Sequence, residues 1–309
     1  MASTDRDPLH DVVIVGGGPA GLSAALAFGR ARKRVLLCDA GPPRNAAAEE
    51  IHNFVTRDGT PPAEFRRTAR AQLAPYESVE VRDVRVESIR GSKGAFEVVL
   101  PSGAVRARRV LLAVGMIDEL PDLPGFRELW GKAIFQCPYC HGWEVRDRPF
   151  GCLLPTPQWL DWAIFLRGWT HDLVAFTDAR CELDAADRDR LARAGIRLEE
   201  RRIRGLVSDG AHLEAVELED GERVPRSVLF ARPPQRQTDV VRGLDLELDA
   251  QGFVKTGEQL ETSRPGVYAA GDLTSMAQGA IFAAAAGVRA AASINHELTL
   301  ELLTSGELP

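Results

Sequence analysis

The chain has 309 residues, 45% of them apolar and 27% charged, a length that suits two domains at roughly 100 to 200 residues each and a composition that excludes collagen-like, disordered and mucin-like chains. A formal charge of -6 and a pI near 5.6 offer no basic face to displace counterions from nucleic acid or to meet an anionic membrane. No apolar run approaches the roughly 20 residues of a bilayer span, and the polar stretch Met1 to Asp11 lacks the pattern of a secretory signal, so a cytoplasmic enzyme or binding protein is expected.

Asp11-Val-Val-Ile-Val15 reads as a short buried parallel strand. Gly16-Gly-Gly-Pro-Ala-Gly21 follows it, then a helix over Ala20 to Arg32 and a second buried strand, Arg34 to Asp39. Pro61 to Leu73 reads as helix. Val79 to Ile89 and Ala95 to Leu100 alternate as strands around the turn Gly91-Ser-Lys-Gly94, and Arg106 to Val114 returns to a buried strand. Pro121, Pro124 and Gly125 open a second unit, with strands at Pro149 to Leu154 and Leu173 to Thr177 and helices at Trp159 to Gly168 and Leu183 to Ala194. Further strands follow within Ile196 to Leu218 and at Val228 to Ala231. After Arg242 come strand signals at Gly252 to Val254 and Val267 to Ala270, and an alanine-rich helix from Ala280 to Ile294. The expected fold class is α/β, with two βαβ openings.

Gly16-x-Gly18-x-x-Gly21 lies between a strand and a helix, where the glycines permit a tight turn, backbone approach to a pyrophosphate and close helix packing. Asp39 ends the next strand about twenty residues on, at the place of a ribose-binding carboxylate. A glycine turn that binds no nucleotide is the weaker alternative. Thr262-Ser-Arg-Pro-Gly-Val-Tyr-Ala-Ala-Gly-Asp272 resembles the second FAD motif of the two-dinucleotide-binding-domain flavoproteins, which implies FAD, with Asp272 beside the ribityl chain. A helix N-cap acid is the other reading of Asp272. Ala113-Val-Gly115 resembles the turn at which the chain leaves the FAD domain.

Five cysteines are too few for a disulfide scaffold. Cys38, Cys152 and Cys181 stand alone, whereas Gln136-Cys-Pro-Tyr-Cys-His-Gly-Trp-Glu144 holds the one Cys-x-x-Cys pair. Such a pair at a helix start can close a reducible disulfide with lowered thiol pKa. Structural zinc, the competitor, needs four ligands, and there is no second pair.

Together these motifs resemble the low-molecular-weight thioredoxin reductase family over nearly the whole chain. The resemblance implies a Rossmann-like FAD domain in two parts, 1–116 and 242–309, around an inserted NADPH-domain-like unit, 117–241. It implies Cys140 as the flavin-proximal thiolate and Cys137 as the thiol that meets the substrate. It further implies FAD contacts at Gly16, Gly18, Pro19, Ala20, Gly21, Asp39, Ala40, Asn45, Asn53, Val84, Ala113, Gly115, Gly271, Asp272, Gln278 and Ala280, and a homodimer. The family has an aspartate after the second cysteine. Here His141 stands there, able to move protons near neutral pH or simply to cap the helix, and Cys-Pro-x-Cys-His-Gly is similar to the dithiol oxidases of the gliotoxin and holomycin type.

The family's second glycine turn, which holds NADPH, would fall on Leu154-Pro-Thr-Pro-Gln-Trp159, where Leu154 and Thr156 replace glycines and Trp159 replaces an alanine. Such side chains obstruct phosphate. No later pair of glycines is spaced two apart, and Phe176-Thr-Asp-Ala-Arg-Cys181 lacks the family's His-Arg-Arg run. The expected activity is therefore FAD-dependent oxidation of dithiols by an NADPH-independent enzyme that passes electrons to oxygen or another acceptor. Two alternatives stay open: reduction of a thioredoxin-like protein with electrons from NADPH, ferredoxin or another flavoprotein, and a noncatalytic flavin-binding redox sensor. Trp159, Trp162 and Trp169 are read either as a docking surface or as core.

Overall fold

Four consecutive branched apolar residues, Val12 to Val15, are too few for a stable helix and suit a strand covered on both faces. In the computed structural model, which describes residues 9–307, they form the heart of the strand His10–Val15. It pairs in parallel with Val35–Cys38 on one side and Gly103–Leu112 on the other. The chain divides into two compact units. The first comprises the described residues up to Ala46 together with 60–117 and 235–307.

The first unit is built on a seven-stranded sheet. Val79–Arg82 extends it beyond Val35–Cys38. The long strand Gly103–Leu112 serves two partners on its far side: its first half pairs antiparallel with Ala95–Leu100, and its last residues pair in parallel with Val267–Ala269. Side chains alternate across the sheet. Val12 and Ile14 meet the helices Pro19–Arg30 and Ala280–Ser305, whereas Val13 and Val15 face a second core containing Phe96, Leu244 and Phe253. The two helices touch so closely that a Cβ on Gly287 would lie 2.0 Å from the Ala20 carbonyl oxygen.

The alanine-rich helix was expected to end at Ile294 but runs to Ser305, where Gly306 closes it in the left-handed conformation. The extension is held from outside its own sequence. Glu297 and Glu301 both pair with Arg109, whose side chain is fully buried. Gly252 to Val254 is no strand, only an isolated bridge between Leu248 and Val254.

The second unit comprises 47–59 and 118–234. Its parallel sheet runs in the order Arg197–Glu199, Leu173–Phe176, Phe150–Leu153, Val228–Phe230, Ile134–Phe135. A three-stranded antiparallel sheet of Ile203–Asp209, His212–Leu218 and Arg223–Pro225 stands beside it. The helix Ala185–Arg193 begins on Asp184, whose carboxylate accepts from the Asp187 amide at 2.8 Å. Among the described residues no helix is long and apolar enough to cross a membrane.

Candidate active site

In the first unit, the carboxyl ends of three parallel strands carry Gly16, Asp39 and Ala113, and the fourth, Val267–Ala269, leads into Gly271. Backbone hydrogen bonds tie these ends together: Gly16 N donates to Cys38 O at 2.8 Å, Ala113 N to Val15 O at 2.8 Å and Ala270 N to Leu112 O at 2.9 Å. Ligands of open α/β sheets bind at such an edge. Gly16 has φ +112, and a Cβ there would lie 2.3 Å from Ala113 O; on Gly21 it would lie 1.9 Å from Gly16 O. A Cβ on Gly18, in contrast, would meet nothing within 4 Å. No side chain caps the helix that starts at Pro19, and a start of that kind offers its amides to phosphate oxygens. The glycine turn thus fits a dinucleotide.

Asp39 is buried beneath this turn. One carboxylate oxygen accepts from Arg66 and, at 2.8 Å, from Arg70; the other accepts from Gly41 N at 3.2 Å. The two arginines lie one turn apart on the helix Pro62–Leu73, a spacing that was readable in the sequence although the sequence reading did not use it. Asp272 opens a short 3-10 turn and accepts from Arg44 at 3.0 Å, which also donates to Gln278 at 2.7 Å. It does not cap the long helix, because Gly279 takes that place ahead of Ala280. Gly115 and Gly271 have φ +64 and +97, a region that favours glycine. Asn45 is half-buried, Ala40 is exposed and Val84 packs on the core of the sheet. Asn53 belongs to the second unit, where its side chain donates to the Tyr139 carbonyl at 2.5 Å.

Cys137 and Cys140 form a disulfide across the start of the short helix Pro138–His141, with their Cα atoms 5.2 Å apart. Pro138 suits the first helical position, where no amide is needed. His141 ends the helix and stacks on Phe135, with ring centroids 4.5 Å apart. Neither ring nitrogen has a hydrogen-bond partner, so the ring does not cap the helix. Burial, reinforced by the nearby His52, lowers its pKa to about 4. His52 lies edge-on with centroids 6.4 Å apart, and Glu50, Asp58 and Glu144 surround it at 3.4 to 3.6 Å. No sequence signal pointed to His52. Among the described residues no group of three or more His, Cys, Asp or Glu is placed to hold a metal ion.

The aromatic surroundings divide. Trp162 is core, whereas Trp169 forms a cluster with the exposed Tyr139 and Phe165, at centroid distances of 5.1 to 5.6 Å. A Cβ on Gly142 would meet the Trp169 ring at 2.7 Å, so the chain after the disulfide lies directly on that indole. Of the remaining cysteines, Cys38 and Cys152 are inert by comparison, because burial pushes their thiols up to about 12.

At the Leu154 to Trp159 turn, Leu154 is fully buried and its carbonyl accepts from the Cys181 thiol at 3.2 Å. Trp159 stacks edge-on with Trp162, and the Arg232 guanidinium lies 5.0 and 5.2 Å from the two ring centroids. Past the end of the next strand Arg180 is engaged by Asp178 at 2.8 Å, and the neighbouring strand ends at Glu199, with Glu200 directly after it.

The chain matches the family model described as pyridine nucleotide-disulphide oxidoreductase over residues 10–159 and 172–291. It is 34% identical to "Thioredoxin reductase aclD" of Aspergillus oryzae, over 95% of this chain and 98% of that one. It is 32% identical to a "Probable thioredoxin reductase" of Arthroderma benhamiae, over 94% of this chain and 81% of that protein. The crystal structure of HlmI superposes with a TM-score of 0.90 at 37% identity, covering 99% of this chain and 96% of that one.

Proposed function

Because the chain belongs to the pyridine nucleotide-disulphide oxidoreductase family and has thioredoxin reductase-like relatives along nearly its whole length, we propose that it is an FAD-dependent oxidase of small dithiols that works without NADPH. The observation that carries the direction is the Leu154 to Trp159 turn. A phosphate-binding turn needs glycines and free backbone amides. This turn has a fully buried leucine, two prolines and an indole backed by Arg232. The arginines after the next strands are engaged with carboxylates, Arg180 with Asp178, Arg201 with Glu199 and Arg188 with Glu200, which supports the same reading.

In this reading 1–116 and 242–309 hold FAD, and 117–241 carries the disulfide. Gly16, Gly18 and Gly21 with the first turn of the helix would hold the pyrophosphate, Asp39 a ribose, and Asp272 the ribityl chain; Pro19, Ala20, Ala40, Asn45, Val84, Ala113, Gly115, Gly271, Gln278 and Ala280 would complete the site, whereas Asn53 is engaged in the second unit. Bound FAD supplies a two-electron acceptor for the reduced cysteine pair. A substrate thiolate attacks Cys137 and displaces Cys140 as a thiolate. The second substrate thiol then attacks the mixed disulfide and frees Cys137, so that a cyclic substrate disulfide leaves. His141, neutral at physiological pH because of its burial, is the base that takes the proton of the attacking thiol. The exposed Tyr139 and Phe165 with Trp169 suit a small substrate with an apolar body.

The test is an anaerobic titration of the flavin spectrum with NADPH, NADH and dithiothreitol in parallel. Bleaching by the dithiol alone is the expected result. Rapid bleaching by stoichiometric NADPH but not by the dithiol overturns the reading and favours the reductive direction, for which the names of the relatives speak. Homodimerisation and a cytoplasmic setting are part of the proposal, the first checked by sedimentation.

A further inference from the structure

His141 is buried with neither ring nitrogen hydrogen-bonded, so a proton it takes up has no local acceptor on the helix that carries it. The nearest polar ring comes from a different part of the chain. His52 sits in the loop 47–59, which is closed on itself by Gly59 N donating to Ile51 O at 2.9 Å and Asn53 N donating to Asp58 at 2.8 Å. Ile51 is buried, and the Asn53 side chain donates to the carbonyl of Tyr139, which directly precedes Cys140. The loop is therefore fastened to the disulfide turn at the point where His52 faces His141.

The groups around His52 form a gradient. On the inner side is the His141 ring, itself stacked on Phe135. On the outer side are Glu50 and Asp58 from the same loop and Glu144 from the turn after the cysteine helix, with side chains that are 49%, 65% and 38% exposed against 12% for His52. The separations of 3.4 to 3.6 Å exceed those of good hydrogen bonds, so the carboxylates attract the ring without locking it.

We propose that His52 is the second station of the proton path at the disulfide, receiving from His141 the proton taken from the attacking thiol and releasing it through Glu50, Asp58 and Glu144 to water. The inference rests on the reading of a dithiol as the reductant of the pair. The exchange balances as follows. A dithiol and the Cys137–Cys140 disulfide give the substrate disulfide, a Cys137 thiol and a Cys140 thiolate, with two electrons passing to the pair. Of the two substrate protons, one stays on Cys137 and the other leaves through His141 and His52. Two neighbouring imidazoles do not readily hold two protons, and the three carboxylates lie on the His52 side of the pair. The 6.4 Å between ring centroids is spanned by one water or a ring rotation. His52 thus acts through His141, as a positioning and relay residue.

The test uses the full-length oxidised protein mixed with dithiothreitol, quenched with an alkylating reagent at intervals, and analysed by mass for labelled Cys137 and Cys140 between pH 5 and 9. His52→Gln is expected to slow labelling about tenfold or more near pH 6.5, to approach the wild type above about pH 8.5, where the thiol ionises unaided, and to be restored by added imidazole. Glu144→Gln, an exposed change, is expected to slow labelling in the same pH range, because one of the three carboxylates that lead the proton from His52 to water is gone. A His52→Gln profile that overlays the wild type overturns the proposal, and so does a loss equal at every pH without imidazole rescue. A Glu144→Gln profile that overlays the wild type overturns it too, even if His52→Gln does not fold. The dithiol reading fails separately, in the anaerobic titration, because thiol labelling follows the pair whatever serves the flavin.

Discussion

His141 shows how one side chain couples chemistry to stability. Its pKa is about 4 in the folded protein, against 6.5 for an unperturbed histidine, because burial first and the charge of His52 second disfavour the imidazolium. As pH falls below about 6.5 the unfolded chain takes up a proton that the folded chain refuses until about pH 4. The stabilisation is complete above the unfolded value and is lost across that window, by up to about 3 kcal/mol. His141→Phe, which keeps the stack on Phe135, is expected to lose less stability than the wild type between pH 6.5 and 4. Urea melts of the oxidised proteins at several pH values check this. The same burial leaves the ring neutral at physiological pH and makes it a poor resting place for a proton, so a thiol proton passes through it only transiently.

Between elements, the decisive contact is the crossing of the helices Pro19–Arg30 and Ala280–Ser305. Gly287 lies against the Ala20 carbonyl, and Gly21 against the Gly16 carbonyl, so the glycine turn is clamped by backbone rather than by side chains. Gly287→Ala places a methyl 2.0 Å from that oxygen and forces the helices apart. A loss of about 1 to 3 kcal/mol and weaker flavin retention are expected together, read by thermal melts and by the flavin absorbance of the purified protein. Unchanged retention beside lowered stability would separate the helix crossing from the cofactor site. The length of the last helix has an equally physical cause. Arg109 is fully buried in the sheet, and Glu297 and Glu301 supply its carboxylates from beyond the alanine-rich run. A buried guanidinium needs such partners.

At the level of the molecule, each unit is assembled from separated stretches of chain. The first unit takes its strand Val267–Ala269 and its longest helix from the far end, although its glycine motif lies at the beginning. A chain cut after residue 258 keeps Gly16 to Gly21 and Asp39 but loses that strand, Asp272 and the helix that packs on Ala20. It is expected to purify without yellow colour, whereas a polyhistidine tag after Pro309 is expected to leave the flavin in place. Absorbance spectra of the two proteins decide it. The second unit likewise gathers residues 47–59 to the part of the chain that bears the disulfide, which is how His52 reaches His141.

Local features were therefore open to reading along the chain. The glycine turn, the buried strands, the acid at Asp39 and the cysteine pair each depend on residues a few positions apart, where backbone geometry and spacing dictate the outcome. The presence of Leu154, Thr156 and Trp159 where the resembled family has two glycines and an alanine was visible for the same reason. The partners that complete these features come from afar: Arg66 and Arg70 on Asp39, Arg44 on Asp272, Arg232 on Trp159, Glu297 on Arg109 and His52 beside His141. Nothing in the spacing of a chain says which distant polar group will meet a buried one. That choice is made when burial removes water and each charge must be matched by whatever the packed elements bring within reach.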